Sequence, residues 1–145
     1  MGVIRQVIED SITVIESVFP AGSLTLSPTA VNAQNTPQTI TERVFSVTMQ
    51  TQNSDKFRDG SPGGHTRYAH ALTVSIMCRL KPQDQIEGYN DAIDIEEKII
   101  NAMVRQSNLP RLRVFYDRSQ RTISPSGEFV LIFVEFSVEQ SAKVP

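Results

Sequence analysis

The feature that most constrains this chain is one long run of alternating residues, from Arg67 to Lys81. Alternate positions in the run are apolar, which is typical of a β-strand with one buried face. About 15 extended residues span about 50 Å, which nearly exceeds the diameter of a domain of this size. We therefore expect the strand either to bend at a bulge or to begin outside the body of the domain. The apolar face consists of Tyr68, His70, Leu72, Val74, Ile76, Cys78 and Leu80.

A helix follows this strand after the short polar break PQDQ. Apolar residues recur at helical spacing from Ile86 to Val104 and predict a helix about 30 Å long. Asp84 and Glu87 resemble a capping box, with Asn90 as a competing N-cap. Packing against the preceding strand would bury one side of this helix. The predicted buried stripe consists of Ile86, Tyr89, Ile93, Ile100 and Val104, widened by Ile95, Ile99 and Ala102.

The other patterns complete a single α+β domain that covers residues 1–145. Apolar residues between Ile4 and Ile15 predict an amphipathic first helix, which ends at Pro20. We predict the order α-β-β-α-β-β(β), a mostly antiparallel sheet of four or five strands with both helices on one face. In the second half, DRSQR is expected to be a turn and RTIS a short return strand. The other predicted strands cover residues 43–51, 68–80, 111–117 and 128–138.

Two polar segments separate the predicted elements. Residues 20–41 are nearly uncharged and rich in Ser, Thr, Asn and Pro. Loops of this length are uncommon in compact domains, so we expect either a short hidden strand near Leu24–Leu26 or an arm that a partner orders. Residues 52–67 contain charges, three glycines and a proline. They are expected to form a charged hairpin loop between two antiparallel strands.

The last predicted strand is apolar on both faces, and a strand of that kind needs cover on both faces. Two helices cover only one face of the sheet. We therefore expect a neighbouring subunit to cover the other face. The alternative is that the segment 20–41 folds over it. One face carries Phe129, Leu131 and Phe133, and the other carries Val130, Ile132, Val134 and Phe136.

Charge is also sorted along the second half of the chain. Acidic residues, including Asp91 and Asp94, precede the basic ones, which include Arg111 and Arg113. Acids at a helix start and bases at its end suit the helix macrodipole, which is one explanation. The other explanation is head-to-tail contact between copies, which closes into a ring. In that case the candidate subunit interface contains Asp91, Asp94, Arg111, Arg113, Phe129, Leu131 and Phe133.

The residues offer no catalytic, cofactor-binding or metal-binding motif. A net charge of −2 argues against a dedicated nucleic-acid binder. The single cysteine, Cys78, excludes an intrachain disulfide and is expected to be a buried small hydrophobe. His65 and His70 are expected to be surface residues. No apolar run approaches the ~20 residues of a membrane span, and no signal peptide is apparent, so we expect a soluble protein made in a reducing compartment.

The arrangement over nearly the whole chain resembles the tail-terminator proteins of long-tailed bacteriophages. A helix, GVIRQVIEDSITVIESVF, precedes a long polar segment, and two strands then flank a charged loop. The second strand, HALTVSIMCRL, leads into the main helix, and the strands RLRVFYD and EFVLIFVEFSV complete the sheet. The resemblance implies a hexameric ring that caps the tail tube, ends its polymerisation and joins it to the neck of the head.

The resemblance also implies partners and a location. The partners are other copies of the chain, the tail tube protein, a neck or head-completion protein, and DNA that passes through the lumen without sequence-specific binding. No membrane or cofactor is implied, and the protein would be made in the cytoplasm of the host bacterium and reside in the virion. The loop between the first two strands would face the tube or the lumen with Lys56, Arg58, Asp59, His65 and Arg67.

Two other functions remain open from the sequence. One is a neck or head-closure adaptor, which would also be a structural ring in the virion. The other is a small enzyme or ligand-binding domain with a pocket on the sheet. That second function requires a polar cluster facing the core, for which only Tyr68, His70 and Thr73 are weak candidates.

Overall fold

The computed structural model describes residues 3–27, 30–31, 43–53, 65–105, 107–109 and 112–143. This part of the chain forms two helices and one five-stranded sheet, whose strand order is β1-β2-β3-β5-β4. The elements, in chain order, are α1 (Val3–Ser17), β1 (Thr25–Leu26), β2 (Arg43–Asn53), β3 (His65–Arg79), α2 (Gln85–Val104), β4 (Leu112–Ile123) and β5 (Phe129–Lys143).

The predicted α+β class is confirmed, with two differences in the sheet. The sheet is mixed, because β1 runs parallel to β2 while the other neighbouring pairs are antiparallel. The short strand expected near Leu24–Leu26 is present as β1. The element order is therefore α-β-β-β-α-β-β, in place of the predicted α-β-β-α-β-β(β).

Strand β4 is longer than the sequence predicted. The expected turn in DRSQR and the separate return strand were wrong, because β4 continues from Leu112 to Ile123. The register of β4 on β5 shifts between Tyr116 and Arg118, which places a bulge at Asp117. A bulge adds one residue to a strand without ending it. The polar residues here therefore mark an irregular position in a strand.

The long strand β3 contains no bulge. It pairs with β5 over its full length in one register, from His65 opposite Lys143 to Arg79 opposite Phe129. The described part of β2 ends at Asn53, opposite Tyr68, so among the described strands the first residues of β3 are paired with β5 alone. Of the two alternatives, the bulge was wrong, and the start of β3 lies beside the end of β5. The predicted loop 52–67 is correspondingly shorter, because 52–53 and 65–67 belong to strands.

Both helices pack on the same face of the sheet and form the main core there. This face takes alternate residues from each strand, and its central rows, such as Phe45–Ile76–Ile132 and Val47–Val74–Val134, are apolar. Burying this much apolar surface is the dominant favourable contribution to folding. The helices contribute Val7, Val14 and Ile15 from α1, and Ala92, Ile95, Ile99, Ala102 and Met103 from α2.

The second face of the sheet carries a smaller apolar cluster, and the chain itself covers part of it. Leu131 is 1% exposed and packs with Val31, Val44 and Met77. The Val31 N–H donates a hydrogen bond to Ser46 Oγ over 3.1 Å, which holds this part of the 20–41 segment against β2. The alternative, in which the segment 20–41 folds over this face, is thus confirmed at Val31. The expectation that a neighbouring subunit must cover Leu131 was wrong.

Strand β5 is not apolar on its second face over its whole length. Phe129 and Phe133 are half-buried beside Leu131, whereas the next positions on that face are Glu135 and Ser137. The apolar part therefore ends after Phe133, where polar residues can face water at little cost. The demand for an external partner on this face is smaller than the sequence indicated.

Helix α2 buries a different stripe from the one predicted. Ile86 is 79% exposed and Val104 is 40% exposed, so both ends of the expected stripe lie outside the core. The residues expected only to widen the stripe, Ile95 and Ile99, lie at its centre. Asp84 is the N-cap but makes no side-chain capping bond, so the predicted capping box is also wrong.

Glu96 is the one charged residue in the buried stripe of α2 among the residues described. Its carboxylate accepts two hydrogen bonds from Arg121 of β4, over 2.7 Å from Nε and 2.5 Å from Nη2. A buried carboxylate is costly unless it is paired, and a two-point arginine contact meets that need. This pair ties the edge strand β4 to the helix above the sheet.

We expect Glu96→Gln to lower the free energy of unfolding by about 1–3 kcal/mol, because a neutral amide replaces the charged acceptor of both bonds. The measurement is urea-induced unfolding followed by circular dichroism at pH 7. Glu97→Gln is the matched control, since Glu97 is the exposed next residue of the same helix. Equal stability of the two variants would show that the Glu96–Arg121 pair does not stabilise the fold.

Candidate self-association surface

The largest group of exposed apolar side chains on one strand lies on β4, among the residues described. β4 is the last strand of the sheet, so only one of its edges pairs with another described strand, β5. Phe115 is 47% exposed, Tyr116 41% and Ile123 53%. A long edge strand with exposed apolar residues is a ready surface for pairing with another chain. We call β4, Leu112–Ile123, the open edge.

Two aromatic rings of the open edge are held in place by their own chain. The Arg113 guanidinium carbon lies 5.7 Å from the centre of the Phe115 ring, within the range of a cation–π contact. The Tyr116 ring stands edge-on to Phe136, with centroids 6.2 Å apart. Its hydroxyl is 2.8 Å from Ser119 Oγ. Rings that are ordered before contact lose less conformational entropy when a partner binds.

Most charges on the open edge are already satisfied within the chain. Arg118 pairs with Glu135 of β5, and Arg121 pairs with Glu96. At the bulge, Ser137 Oγ donates a hydrogen bond to Asp117 Oδ2 over 2.6 Å. Arg113 has no carboxylate partner in the described part of the chain, so it is the cation of this strand that is available to another molecule.

The opposite edge of the sheet is also incompletely paired. β1 covers only the start of β2, at Val44 and Phe45. The Ser27 N–H continues this contact by donating to the Phe45 carbonyl over 2.8 Å. No described strand pairs with the outer edge of β2 from Val47 to Asn53. Among the described strands, both outer edges of the sheet therefore have backbone groups that no neighbouring strand pairs with.

The predicted interface residues occupy three separate places. Phe129, Leu131 and Phe133 come together in the second-face cluster, where Leu131 is buried. Asp91 and Asp94 are exposed on α2, and Asp91 lies 3.6 Å from Arg43 of β2 in a partly exposed ion pair. Such an exposed pair contributes little to stability. Arg113 is exposed on β4, while Arg111 lies outside the described residues.

Sequence reasoning missed Phe115, Tyr116 and Ile123 as a group. Phe115 and Tyr116 are adjacent, and Ile123 lies beyond the bulge, so the three do not share one alternating pattern. The usable signal was an aromatic pair next to arginines in a strand that lacks a clean apolar face. A strand of that kind fits an edge better than the middle of a sheet.

The predicted lumen loop falls mostly outside the described residues. Lys56, Arg58 and Asp59 are not among them. His65 and Arg67 belong to the start of β3 rather than to a loop, and their side chains are also outside the described part. The backbone places both residues at the end of the long β3–β5 pair, opposite Lys143 and Ser141.

His70 is a core residue, so the expectation of a surface histidine was wrong. It is 2% exposed, and its Nε2 lies 3.3 Å from Gln140 Oε1. Burial lowers the pKa of His70, and the contact with Gln140 opposes that change in part. Thr73 lies on the other face of β3, because it is an odd number of positions away. The weak candidates for a core-facing polar cluster therefore do not come together at these two positions.

A cleft of about 240 Å³ lies beside the start of α2. Three bases and three acids surround it, so its walls have no net preference for a charged ligand. Burial raises the pKa of Cys78, at its inner wall, to about 11, which keeps the thiol protonated and unreactive at neutral pH. The lining residues are Arg43, Cys78, Arg79, Lys81, Asp84, Glu87, Gly88 and Asp91.

Two further searches of the described residues were negative. They contain no group of three or more His, Cys, Asp or Glu side chains arranged to hold a metal ion. None of the described helices is long and apolar enough to cross a membrane.

A scan against protein-family models found no match to this chain, and a search of curated proteins likewise found none.

We expect His70 to make stability depend on pH below about 6.5, the usual pKa of histidine in an unfolded chain. As pH falls through this value the unfolded chain gains a proton that the folded chain, with its lowered His70 pKa, takes up only at a lower pH. The free energy of unfolding should then fall by up to about 1.4 kcal/mol per pH unit. Urea unfolding at pH 7.5 and 5.5 measures this change.

The variants for this test are His70→Gln, which removes the titrating group, and His65→Gln, which removes the other histidine. The loss of stability between pH 7.5 and 5.5 should be smaller in His70→Gln than in the unmodified protein. It should be unchanged in His65→Gln. The same loss in all three proteins would contradict the assignment to His70.

Proposed function

We propose that this protein is a structural subunit that assembles head-to-tail into a closed ring and acts as a bacteriophage tail terminator. The ring caps the tail tube, ends its polymerisation and joins the tube to the neck of the head. The observation that carries the proposal is the sheet with two incompletely paired outer edges, one of which exposes Phe115, Tyr116 and Ile123. A single sheet with two different open edges is suited to contacts that repeat from copy to copy.

The arrangement of elements supports the same proposal. A short first helix, a long polar segment, a long β2–β3 hairpin, a main helix and two terminal strands follow in the order that resembles the tail-terminator proteins. Strands β3 and β5 continue in one direction for three further residue pairs, 65–67 opposite 141–143, past Asn53 of β2 and Leu112 of β4, which end at the same level. In a ring this extension would reach the tube or the lumen with the connecting loop, which contains Lys56, Arg58 and Asp59.

The proposed partners follow from the place of such a ring in a virion. One side binds the last layer of tail tube protein, and the other binds a neck or head-completion protein. DNA passes through the lumen without sequence-specific contact, which is consistent with a net charge of −2. The subunit is made in the cytoplasm of the host bacterium and ends in the tail or neck of the virion. It needs no cofactor and performs no catalysis.

The first test is the mass of the purified protein in solution. Six chains of 16.2 kDa form a ring of about 97 kDa, which light scattering coupled to size-exclusion chromatography resolves from a monomer. Negative-stain electron microscopy of the same fraction should show rings with a central hole. A monomer throughout the micromolar range would overturn the proposal.

The second part of this test is tube capping. Addition of the ring to polymerising tail tube protein of the same virus should stop elongation and shorten the tubes at less than one ring per tube subunit. A ring that leaves tube length unchanged but binds a neck protein would indicate a neck or head-closure adaptor. A monomer whose melting temperature rises with a small molecule would indicate the ligand-binding alternative.

Charge reversal at Arg111 and Arg113 tests the head-to-tail contact. We expect the double variant Arg111→Glu, Arg113→Glu to weaken association at least about tenfold, which corresponds to about 1.4 kcal/mol. Arg113 is exposed and has no carboxylate partner among the described residues, so its reversal should leave the subunit folded. Sedimentation velocity over a concentration series measures the association.

The matched control is Arg105→Glu, which reverses an exposed arginine just after α2. It should keep the association of the unmodified protein, and circular dichroism should show folded protein for both variants. Association that is the same in the double variant, the control and the unmodified protein would exclude these two arginines from the contact.

A further inference from the structure

We propose that the contact between copies is an antiparallel pairing of two strand edges. The open edge of one copy, β4, pairs with the outer edge of β2 in the next copy, over about Val47–Asn53. This inference rests on the proposed self-assembly and specifies which surfaces meet. The partner is a second copy of this chain, and the contact continues one sheet from subunit to subunit.

The first support is the shape of the two edges. Seven residues of β2, Val47–Asn53, have no strand on their outer side in the described part of the chain. At about 3.3 Å per residue they offer a ladder of about 23 Å. β4 is 12 residues long, and its outer side likewise has no strand beside it in the described part of the chain. Addition of a strand to such an edge is an established way for chains to associate through main-chain hydrogen bonds.

The second support is direction. β2 is antiparallel to β3, β3 to β5, and β5 to β4, so β2 and β4 run in opposite directions. When a second copy is placed beside the first in the same orientation, its β2 therefore lies antiparallel to the first copy's β4. The helix-bearing faces of the two copies also lie on the same side. The arrangement can be repeated with every further copy, as a ring requires.

The third support is the match of side chains on the helix-bearing face. On β4 this face shows Tyr116 and Ile123, both more than a third exposed. On the outer part of β2 it shows Val47 and Met49, which are half-buried and pack only partly on the core. Tyr116 and Ile123 lie opposite Phe136 and Val130, six positions apart on β5, so a single register brings only one of them beside Val47 and Met49. With Ile123 in that place, the pairing would set apolar side chains side by side and remove them from water.

The other face of the sheet matches in polar character. There the outer part of β2 shows Thr48 and Gln50, which are exposed and neutral. The part of β4 that lies beside them when Ile123 is beside Val47 shows Gln120 and Thr122, also exposed, whereas Phe115 and Arg118 on the same face lie farther along the strand. The amide of Gln50 can exchange hydrogen bonds with the neutral side chains of Gln120 and Thr122 without the desolvation cost of a buried ion pair.

Charge also distinguishes this pairing from its main alternative, β4 against β4 about a twofold axis. The open edge contains three arginines, Arg113, Arg118 and Arg121, against one acid, Asp117. Arg118 and Arg121 are paired with Glu135 and Glu96, so pairing the edge with itself would leave the two Arg113 side chains as its uncompensated like charges among the described residues, and like charges that oppose each other across a ladder are destabilising. The segment Ser46–Asn53 of β2 contains no charged residue. The basic edge therefore fits the neutral edge of β2 better than it fits itself.

Cysteine cross-linking tests the pairing directly. The β2 variants are Thr48→Cys and Gln50→Cys, and the β4 variants are Gln120→Cys and Thr122→Cys, all at exposed positions on the same face. The four double variants with one cysteine on each strand cover neighbouring registers. Disulfide formation needs Cβ atoms about 3.5–4.5 Å apart, so only a variant close to the true register reacts efficiently. The native Cys78 is buried, so it does not interfere.

The mass of each variant is measured first, and mild oxidation and non-reducing electrophoresis follow. We expect at least one double variant to give a ladder of covalent species that ends at the number of subunits in the ring. Each single variant should remain a monomer on the gel. A mixture of the matching β2 and β4 single variants should give covalent dimers.

Two outcomes overturn the inference while the ring itself stands. One is cross-linking of Gln120→Cys or Thr122→Cys with itself, which would show β4 against β4. The other is an intact ring by mass that none of the four double variants cross-links, which would place the contact elsewhere. A monomeric unmodified protein overturns the proposed function as well, and the initial mass measurement separates that case from the other two.

Discussion

The pairing of β3 with β5 is the constraint on which the rest of this structure depends. The two strands are joined in one uninterrupted register of 15 residue pairs, and the helix-facing side of most of this pair is buried. Every other element is placed relative to it. α1 and α2 pack over its apolar face, while β2 and β4 attach to its two sides. A one-residue slip would turn the apolar face of one strand away from the core, so the register is strongly specified.

The faces of this central pair limit where the chain can associate. One face lies under the helices, and the segment that includes Val31 packs on the apolar part of the other. The outer edges are left as the surfaces with both open backbone groups and exposed apolar residues. Contacts between copies are therefore better accommodated at the edges of the sheet than on the faces of β5. Phe129 and Phe133, which are half-buried, are at most a minor addition to such a contact.

Patterns with strong periodicity were readable from the sequence, and local exceptions were not. The alternation around Leu72–Leu80 led to the correct strand, because burial of one face imposes a period of two. The continuous apolar run in residues 129–136 led to another strand, because residues that face cover on both sides are apolar throughout. The bulge at Asp117 was missed because turn-forming residues also suit bulges. The buried stripe of α2 was misplaced because Ile86 is apolar, like most core residues, yet its side chain is 79% exposed in the first turn of the helix. The exposed residues of β4 were missed because no sequence pattern states which strand lies at an edge.

The Glu96–Arg121 pair has a mechanical consequence. Arg121 lies on β4, the outermost strand, and its guanidinium is held by a carboxylate beneath α2. An edge strand that is held only by its neighbour can peel away under a sideways pull. Here such a pull on β4 is transmitted through Arg121 into the middle of α2, so that strand and helix resist it as one rigid unit.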